Sequence, residues 1–290
     1  MCESPMTIAN VCCAYLRHCA VEGTHCREAR ADRERTLSLF CAAVGHLRVE
    51  DAKAYHLVDF IESQPGWRSV STRRQKANEI RAAFAWAVNQ ERIERNPFAR
   101  VRYAEAERRP DLPDEALEVV ARMGTKHFER AVRFLRLTGC RLSELCRAQW
   151  EDFDLERGVW TIHRHKSRRF TGKAKTVALI TEAVDLLRLI RELPESGPTV
   201  FLNTHGRPWT RITLGQNFRR LKRRLKLDTK ASLHGIRHRF GSAAITAGAP
   251  LKLVAAQLGH ATTAVTERYY CDLSGAIEAV RKAAEMAKPR

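Results

Sequence analysis

Apolar residues in the first hundred positions recur at three- and four-residue intervals, the period of a helix with one buried face. The pattern predicts helices over 31–47, 49–63 and 71–90. In the last of these, Ile80, Ala83, Phe84, Ala87 and Val88 form the inner stripe, while Arg73, Arg74, Lys76 and Arg81 read as outward-facing. Asn96-Pro97 is expected to stop a short following helix, because a residue before proline is driven out of the α region. The stretch 101–110 is polar, charged and closed by Pro110, so it reads as a linker, with two domains meeting near residue 105.

After the linker, Pro113-Asp114-Glu115 opens a helix with acids in its first turn, where the helix dipole favours them. A second helix over 125–137 breaks at Thr138-Gly139. The period then shortens to two. Residues 158–163 and 176–180 read as strands of a hairpin around a basic tip at 167–173, and 198–202 is a candidate third strand. From 210 onward the pattern is helical again, with breaks at 228–230, 248–250, 259 and 272–275. The expected fold class is mainly α in two domains: a helical domain over 1–105 and a mixed α+β domain with a small antiparallel sheet over 106–290.

Charge adds what periodicity cannot. The 290-residue chain carries a formal charge of +18. From Arg207 to Arg239 eleven cations face one acid, Asp228, and from Arg164 to Lys175 six cations face none. A solvated basic helix face would explain one such cluster. Two in one chain favour a polyanion, because clustered cations release condensed counterions from a nucleic-acid backbone. No apolar run reaches the length of a membrane span, and the N-terminus has no basic segment followed by an apolar one. A cytoplasmic protein with no membrane partner is expected.

Nine cysteines invite a disulfide or zinc reading, with Cys12, Cys13, His18, Cys19, His25 and Cys26 as the zinc candidates. No CxxC pair is present, and Cys12 and Cys19 stand at the helical i, i+7 spacing of one buried face. Reduced thiols acting as small core residues are therefore expected.

The chemistry concentrates in four ordered segments. In Thr138-Gly139-Cys140-Arg141-Leu142-Ser143-Glu144-Leu145, a glycine turn delivers Arg141 to the mouth of a new helix. In His234-Gly-Ile-Arg237, a histidine and an arginine three apart share one helix face. Leu258-Gly259-His260 presents a histidine on a second glycine turn, and Tyr269 follows nine residues later. Taken alone, Arg141 with Glu144 is an ordinary surface pair, His260 a helix cap and Tyr269 a core aromatic. Those readings predict no relation among the four positions.

Together the segments resemble the tyrosine recombinase (phage integrase) family, Xer- and integrase-like members included. TGCRLSEL resembles its first box, HGIRHRF its second and LGH its third; 81–98 is similar to the last helix of the family's helical, SAM-like core-binding domain. Gly235 and Ile236 depart from the usual Asp and Leu. The resemblance implies a DNA breaking-rejoining enzyme fold, with 1–105 as core-binding domain and linker and 106–290 as catalytic domain. It implies a site-specific recombinase that makes a 3′-phosphotyrosine and a free 5′-hydroxyl and exchanges strands between two duplexes, with no metal, ATP or other cofactor. Tyr269 would be the nucleophile, with Tyr270 a packing residue. Arg141 and Arg237 would clamp the phosphate, and His234 and His260 would handle protons. Glu144 would orient Arg141. Lys166 matches the family's catalytic lysine best, and Lys173 is the runner-up.

The partner implied is double-stranded DNA, contacted by Arg73, Arg74, Lys76, Arg168, Arg169, Lys173, Arg211, Arg219, Arg220, Arg223 and Arg239. A homotetramer on paired sites, monomeric or dimeric off DNA, is implied as well. Two alternatives stand beside this reading: a type IB topoisomerase-like relaxing enzyme, and a DNA-binding relative without catalysis. The apolar stripe of 276–287 predicts a short helix that docks either on its own domain or on a neighbouring protomer. No additional N-terminal arm-binding domain is expected.

Overall fold

A computed structural model describes residues 6–22, 27–105, 113–163, 172, 174–194, 197–227, 231–260 and 262–263. The chain divides into two compact units, Met1–Arg108 and Arg109–Arg290.

The first unit is helical: α1 (Ile8–Glu22), α2 (Arg27–Val44), α3 (Ala54–Ser63) and α4 (Val70–Asn89). α1 has the Cys12 and Cys19 spacing of a buried face, and both thiols are buried there while Cys13 is exposed. α4 begins where the Ser69 side chain accepts from the Thr72 amide at 3.1 Å, satisfying one of the orphan donors of a helix start. Its inner face packs Ile80, Ala83, Phe84 and Ala87 against Leu37, Phe40, Leu57 and Phe60. Phe98, directly after Pro97, closes this core. Its ring lies edge-on to Phe84 at 4.8 Å and to Phe40 at 5.6 Å. Instead of a short helix before Pro97, the chain makes turns and bends, with Glu91 at φ 54.

Lys76 corrects the sequence reading. It is buried, and its ammonium donates to Asp32 Oδ2 at 2.7 Å, Thr36 Oγ1 at 2.8 Å and Glu79 Oε2 at 3.0 Å. The reason is its helical phase. Lys76 stands four residues before Ile80 and beside buried Ala77, so it belongs to the inner stripe. A buried ammonium held by two carboxylates and a hydroxyl is a core tie, not a DNA contact.

The second unit starts with α5 (Asp114–Arg122) and α6 (Lys126–Thr138). α6 is capped by Thr125, which accepts from the Phe128 amide at 3.3 Å, and it ends at Gly139 in the left-handed region, φ 61. A one-turn helix α7 (Leu142–Leu145) and a 3₁₀ turn (Trp150–Asp152) lead into a three-stranded antiparallel sheet of order β1 (Phe153–Asp154), β2 (Val159–Ile162), β3 (Lys175–Ala178). The register pairs Phe153 with Trp160, Trp160 with Val177 and Ile162 with Lys175. Trp160 is the largest fully buried side chain of the unit, packed against Phe134 and stacked on Phe153.

The predicted third strand over 198–202 is replaced by β1. Pro198 has no amide to donate, and the segment makes only isolated bridges, Gln149 with Thr199 and Leu202 with Pro208, while burying Val200 and Phe201. Among the described residues four further helices follow: α8 (Thr181–Arg191), α9 (Arg211–Arg224), α10 (Leu233–Thr246) and α11 (Leu251–Leu258). Gly259 ends α11 in the left-handed region, φ 68. No helix among the described residues is long and apolar enough to cross a membrane.

Candidate active site

Two left-handed glycines, Gly139 after α6 and Gly259 after α11, bring helix ends together. Helix C-termini carry unpaired carbonyls and a negative dipole end, both of which attract cations. Two arginines answer them. Arg237, on α10 and 5% exposed, donates from Nη1 to the Gly139 carbonyl at 3.0 Å and from Nη2 to the Leu258 carbonyl at 2.6 Å. Arg141, at the start of α7, donates from Nη2 to the Gly259 carbonyl at 2.8 Å. Each guanidinium is thereby fixed to the turn after α11.

Glu144 holds Arg141 a second time. One carboxylate oxygen accepts from Arg141 Nη1 at 2.8 Å, and the other accepts from the Arg141 amide at 2.9 Å, closing a capping box around α7. That second oxygen also receives the Lys175 ammonium at 2.8 Å. Burial pushes the Glu144 carboxyl upward, but Lys175 and Arg141 outweigh it and hold the group below the usual carboxylate range. Burial likewise lowers Lys175, with Glu144 opposing.

His260 follows Gly259 and is half-buried. Burial first, then Arg237, Arg141, Lys175 and His238, push its imidazole down to about 4, so it is neutral at pH 7. His234 stands exposed in the first turn of α10, its ring edge-on to His238 at 4.8 Å. Cys140 lies between these groups as a buried thiol. Burial and the Glu144 charge push it up to about 12, so it stays protonated and packs as a small apolar residue.

The structure thus brings Arg141, Arg237 and His260 into one cluster with Glu144 and Lys175, and sets His234 at the edge beside His238. Tyr269, Tyr270, Lys166, Lys173, Arg168, Arg169 and the segment 276–287 lie outside the described residues. Lys175 was not singled out by the sequence, because the predicted strand began one residue later. Strand alternation could have found it, since Lys175, Val177 and Leu179 share the inward phase and all three are buried.

Among the expected DNA contacts, Arg211, Arg219, Arg220 and Arg223 are exposed on α9, and Arg239 is half-exposed on α10. Arg73 donates to the Trp67 carbonyl at 2.9 Å and Arg74 pairs with Glu105 at 2.8 Å. Among the described residues, no three His, Cys, Asp or Glu side chains gather as a metal site.

Comparison with known proteins bears on the same region. The family model for the phage integrase family matches residues 113–274. The chain is 27% identical over 237 residues to a tyrosine recombinase XerC of Thermodesulfovibrio yellowstonii, covering 76% of this chain and 78% of that protein. Its fold is similar to that of the Tn1549 transposon integrase in complex with circular intermediate DNA, with TM-score 0.77, 20% identity, and 96% and 99% of the two chains covered. It is also similar to that of a lambda integrase tetramer bound to a Holliday junction, with TM-score 0.72, 18% identity, and 89% and 78% covered. With more than half of its length matched, this chain belongs to the phage integrase family of tyrosine recombinases.

Proposed function

We propose that this protein is a site-specific DNA recombinase that cleaves and rejoins DNA through a 3′-phosphotyrosine and exchanges strands between two duplexes. The observation that carries the proposal is the convergence of Arg141, Arg237 and His260 on two glycine turns, each arginine fixed by carbonyls of the other elements. Guanidinium suits a phosphate because it stays charged at working pH and offers parallel N–H donors to the non-bridging oxygens. Donors already fixed before the substrate arrives need little reorganisation as negative charge grows toward the transition state.

In the proposed step the Tyr269 hydroxyl oxygen attacks phosphorus in line and the bond from phosphorus to the 5′ oxygen breaks. The tyrosine proton passes to His234 and the leaving oxygen takes a proton from Lys166, giving a free 5′-hydroxyl. Neutral His260 donates an N–H to a phosphate oxygen. The phosphotyrosine conserves the energy of the broken linkage, so a 5′-hydroxyl of the second duplex reverses the step without ATP. The first unit acts as the core-binding domain, and the exposed cations of α9 track the DNA backbone. Four copies act on two paired sites, a reading supported by the similar fold of a lambda integrase tetramer bound to a Holliday junction.

Mapping covalent protein–DNA joints across the replicon that carries this gene supplies the site. Two copies of that site on one plasmid then provide the test. Recombinant product together with a four-way junction intermediate is expected. Relaxation of the supercoiled plasmid without recombinant product would replace this reading with a topoisomerase-like one.

A further inference from the structure

Lys175 is the one buried cation of the cluster that sits on the sheet rather than on a helix or a glycine turn. It is 5% exposed on β3, and Ile162 on β2 is its cross-strand partner. Its ammonium lies 2.8 Å from Glu144, whose other oxygen holds Arg141. Its aliphatic stem runs directly beneath Gly259, where an added Cβ would lie 2.6 Å from Lys175 Cδ and 2.9 Å from Cε. Gly259 is also the residue whose carbonyl receives Arg141 and whose successor is His260.

We infer that Lys175 is a positioning residue for phosphoryl transfer, fixing Arg141 through Glu144 and setting the turn that presents His260. The inference rests on the recombinase reading above and adds a residue to it.

Charge and geometry both argue for this role. Among the described residues Glu144 is the carboxylate that pairs with Arg141, and without Lys175 its second oxygen would keep only the Arg141 amide. A buried carboxylate left short of partners competes for the guanidinium, which then serves Glu144 instead of a phosphate. With Lys175 in place the carboxylate is satisfied and Arg141 retains donor capacity. The lysine stem also fills the space under Gly259, so the turn has a fixed floor. Lys175 is too buried, and too closely engaged by Glu144, to contact a DNA backbone itself.

The test is a double-mutant cycle on Lys175→Met and Glu144→Gln in the full chain, read by single-turnover cleavage of a nicked suicide duplex. Lys175→Met should slow cleavage by about tenfold or more while leaving duplex affinity within about twofold. In the Glu144→Gln background, where the ion pair is already gone, adding Lys175→Met should cost less than about threefold. The cost within the Glu144→Gln background can be read even if Lys175→Met alone does not fold, and a loss of about tenfold or more there would overturn the inference by itself. An equal cost in both backgrounds would overturn the inference. So would rescue of Lys175→Met, and not of Arg141→Ala, by a substrate whose 5′-bridging oxygen is sulfur, because Lys175 would then be the proton donor.

A second readout needs no cleavage. His260 is faced by Arg237, Arg141, Lys175 and His238, so removing the Lys175 charge should raise the His260 midpoint in an NMR titration. An unchanged midpoint would remove Lys175 from the turn. A wild-type chain that never forms an adduct would defeat the recombinase reading while leaving this titration to decide the placement of Lys175.

Discussion

Replacing Gly139 with alanine perturbs the cluster at its most constrained backbone position. Gly139 has φ 61, and a Cβ there would lie 2.5 Å from Phe240 Cδ1, 2.7 Å from Cγ and 3.1 Å from Leu258 Cδ2. The left-handed conformation costs a non-glycine residue about 1–2 kcal/mol. Forcing a methyl against an aromatic ring that is itself packed on α11 adds about 1–3 kcal/mol. The sum, about 2–5 kcal/mol, corresponds to a melting temperature lowered by roughly 4–20 °C for a domain of this size. Gly206 is the matched control. Its φ is 67, but nothing lies within 4 Å of an added Cβ, so only the conformational cost applies. Urea denaturation of Gly139→Ala and Gly206→Ala should therefore differ by about 1–3 kcal/mol. Cleavage should separate them further, because Gly139 supplies the carbonyl that fixes Arg237 and Gly206 lies in an exposed turn. Equal stabilities, or a Gly139→Ala protein that cleaves like Gly206→Ala, would refute the account of this turn.

Lys76→Met leaves Glu79 largely buried without its cation and should destabilise the protein by about 2–4 kcal/mol, less than a fully buried pair because Asp32 is half-exposed, with DNA affinity of the folded fraction unchanged. Arg219→Ala and Arg223→Ala should do the opposite, leaving the melt alone and each reducing the slope of log affinity against log salt by about one. His260, pushed down to about 4 from 6.5, contributes stability that is complete above pH 6.5 and lost as pH falls toward 4, because the unfolded chain takes up the proton first. Cleavage should accordingly show no inflection assignable to His260 between pH 5.5 and 7.5 in the free enzyme. A His260 midpoint near 6.5 by NMR would contradict its placement among the cations.

What the sequence made legible follows the range of each interaction. Gly139 with Arg141 and Gly259 with His260 were readable because each is a left-handed cap followed by a side chain at a fixed offset, and His234 with Arg237 because they stand three apart on one helix face. Helices α2, α3 and α4 were readable from their period, and the buried phase of Cys12 and Cys19 from their spacing, whereas the whole of α1 was not predicted as a helix. Lys175 was not, because its partner Glu144 is 31 residues away and a lysine inside a basic segment looks like one more surface charge. Lys76 misled for a related reason. Its charge suggested the outside while its phase relative to Ile80 put it inside, and the compensating carboxylate of Asp32 comes from a different helix. β1 is two residues long and has no period of its own, so the 198–202 run, richer in β-formers, outweighed it.

The central claim is that the cluster around Arg141, Arg237 and His260 activates a phosphodiester for attack by Tyr269. A nicked suicide duplex carrying the mapped site, incubated with the full-length protein and digested for mass spectrometry, tests it directly. The account predicts a nucleotide 3′-phosphate linked to the peptide containing Tyr269, absent in Tyr269→Phe and reduced at least about a hundredfold in Arg237→Ala. An adduct on Tyr270 or any other residue, or an adduct undiminished in Tyr269→Phe, would contradict it.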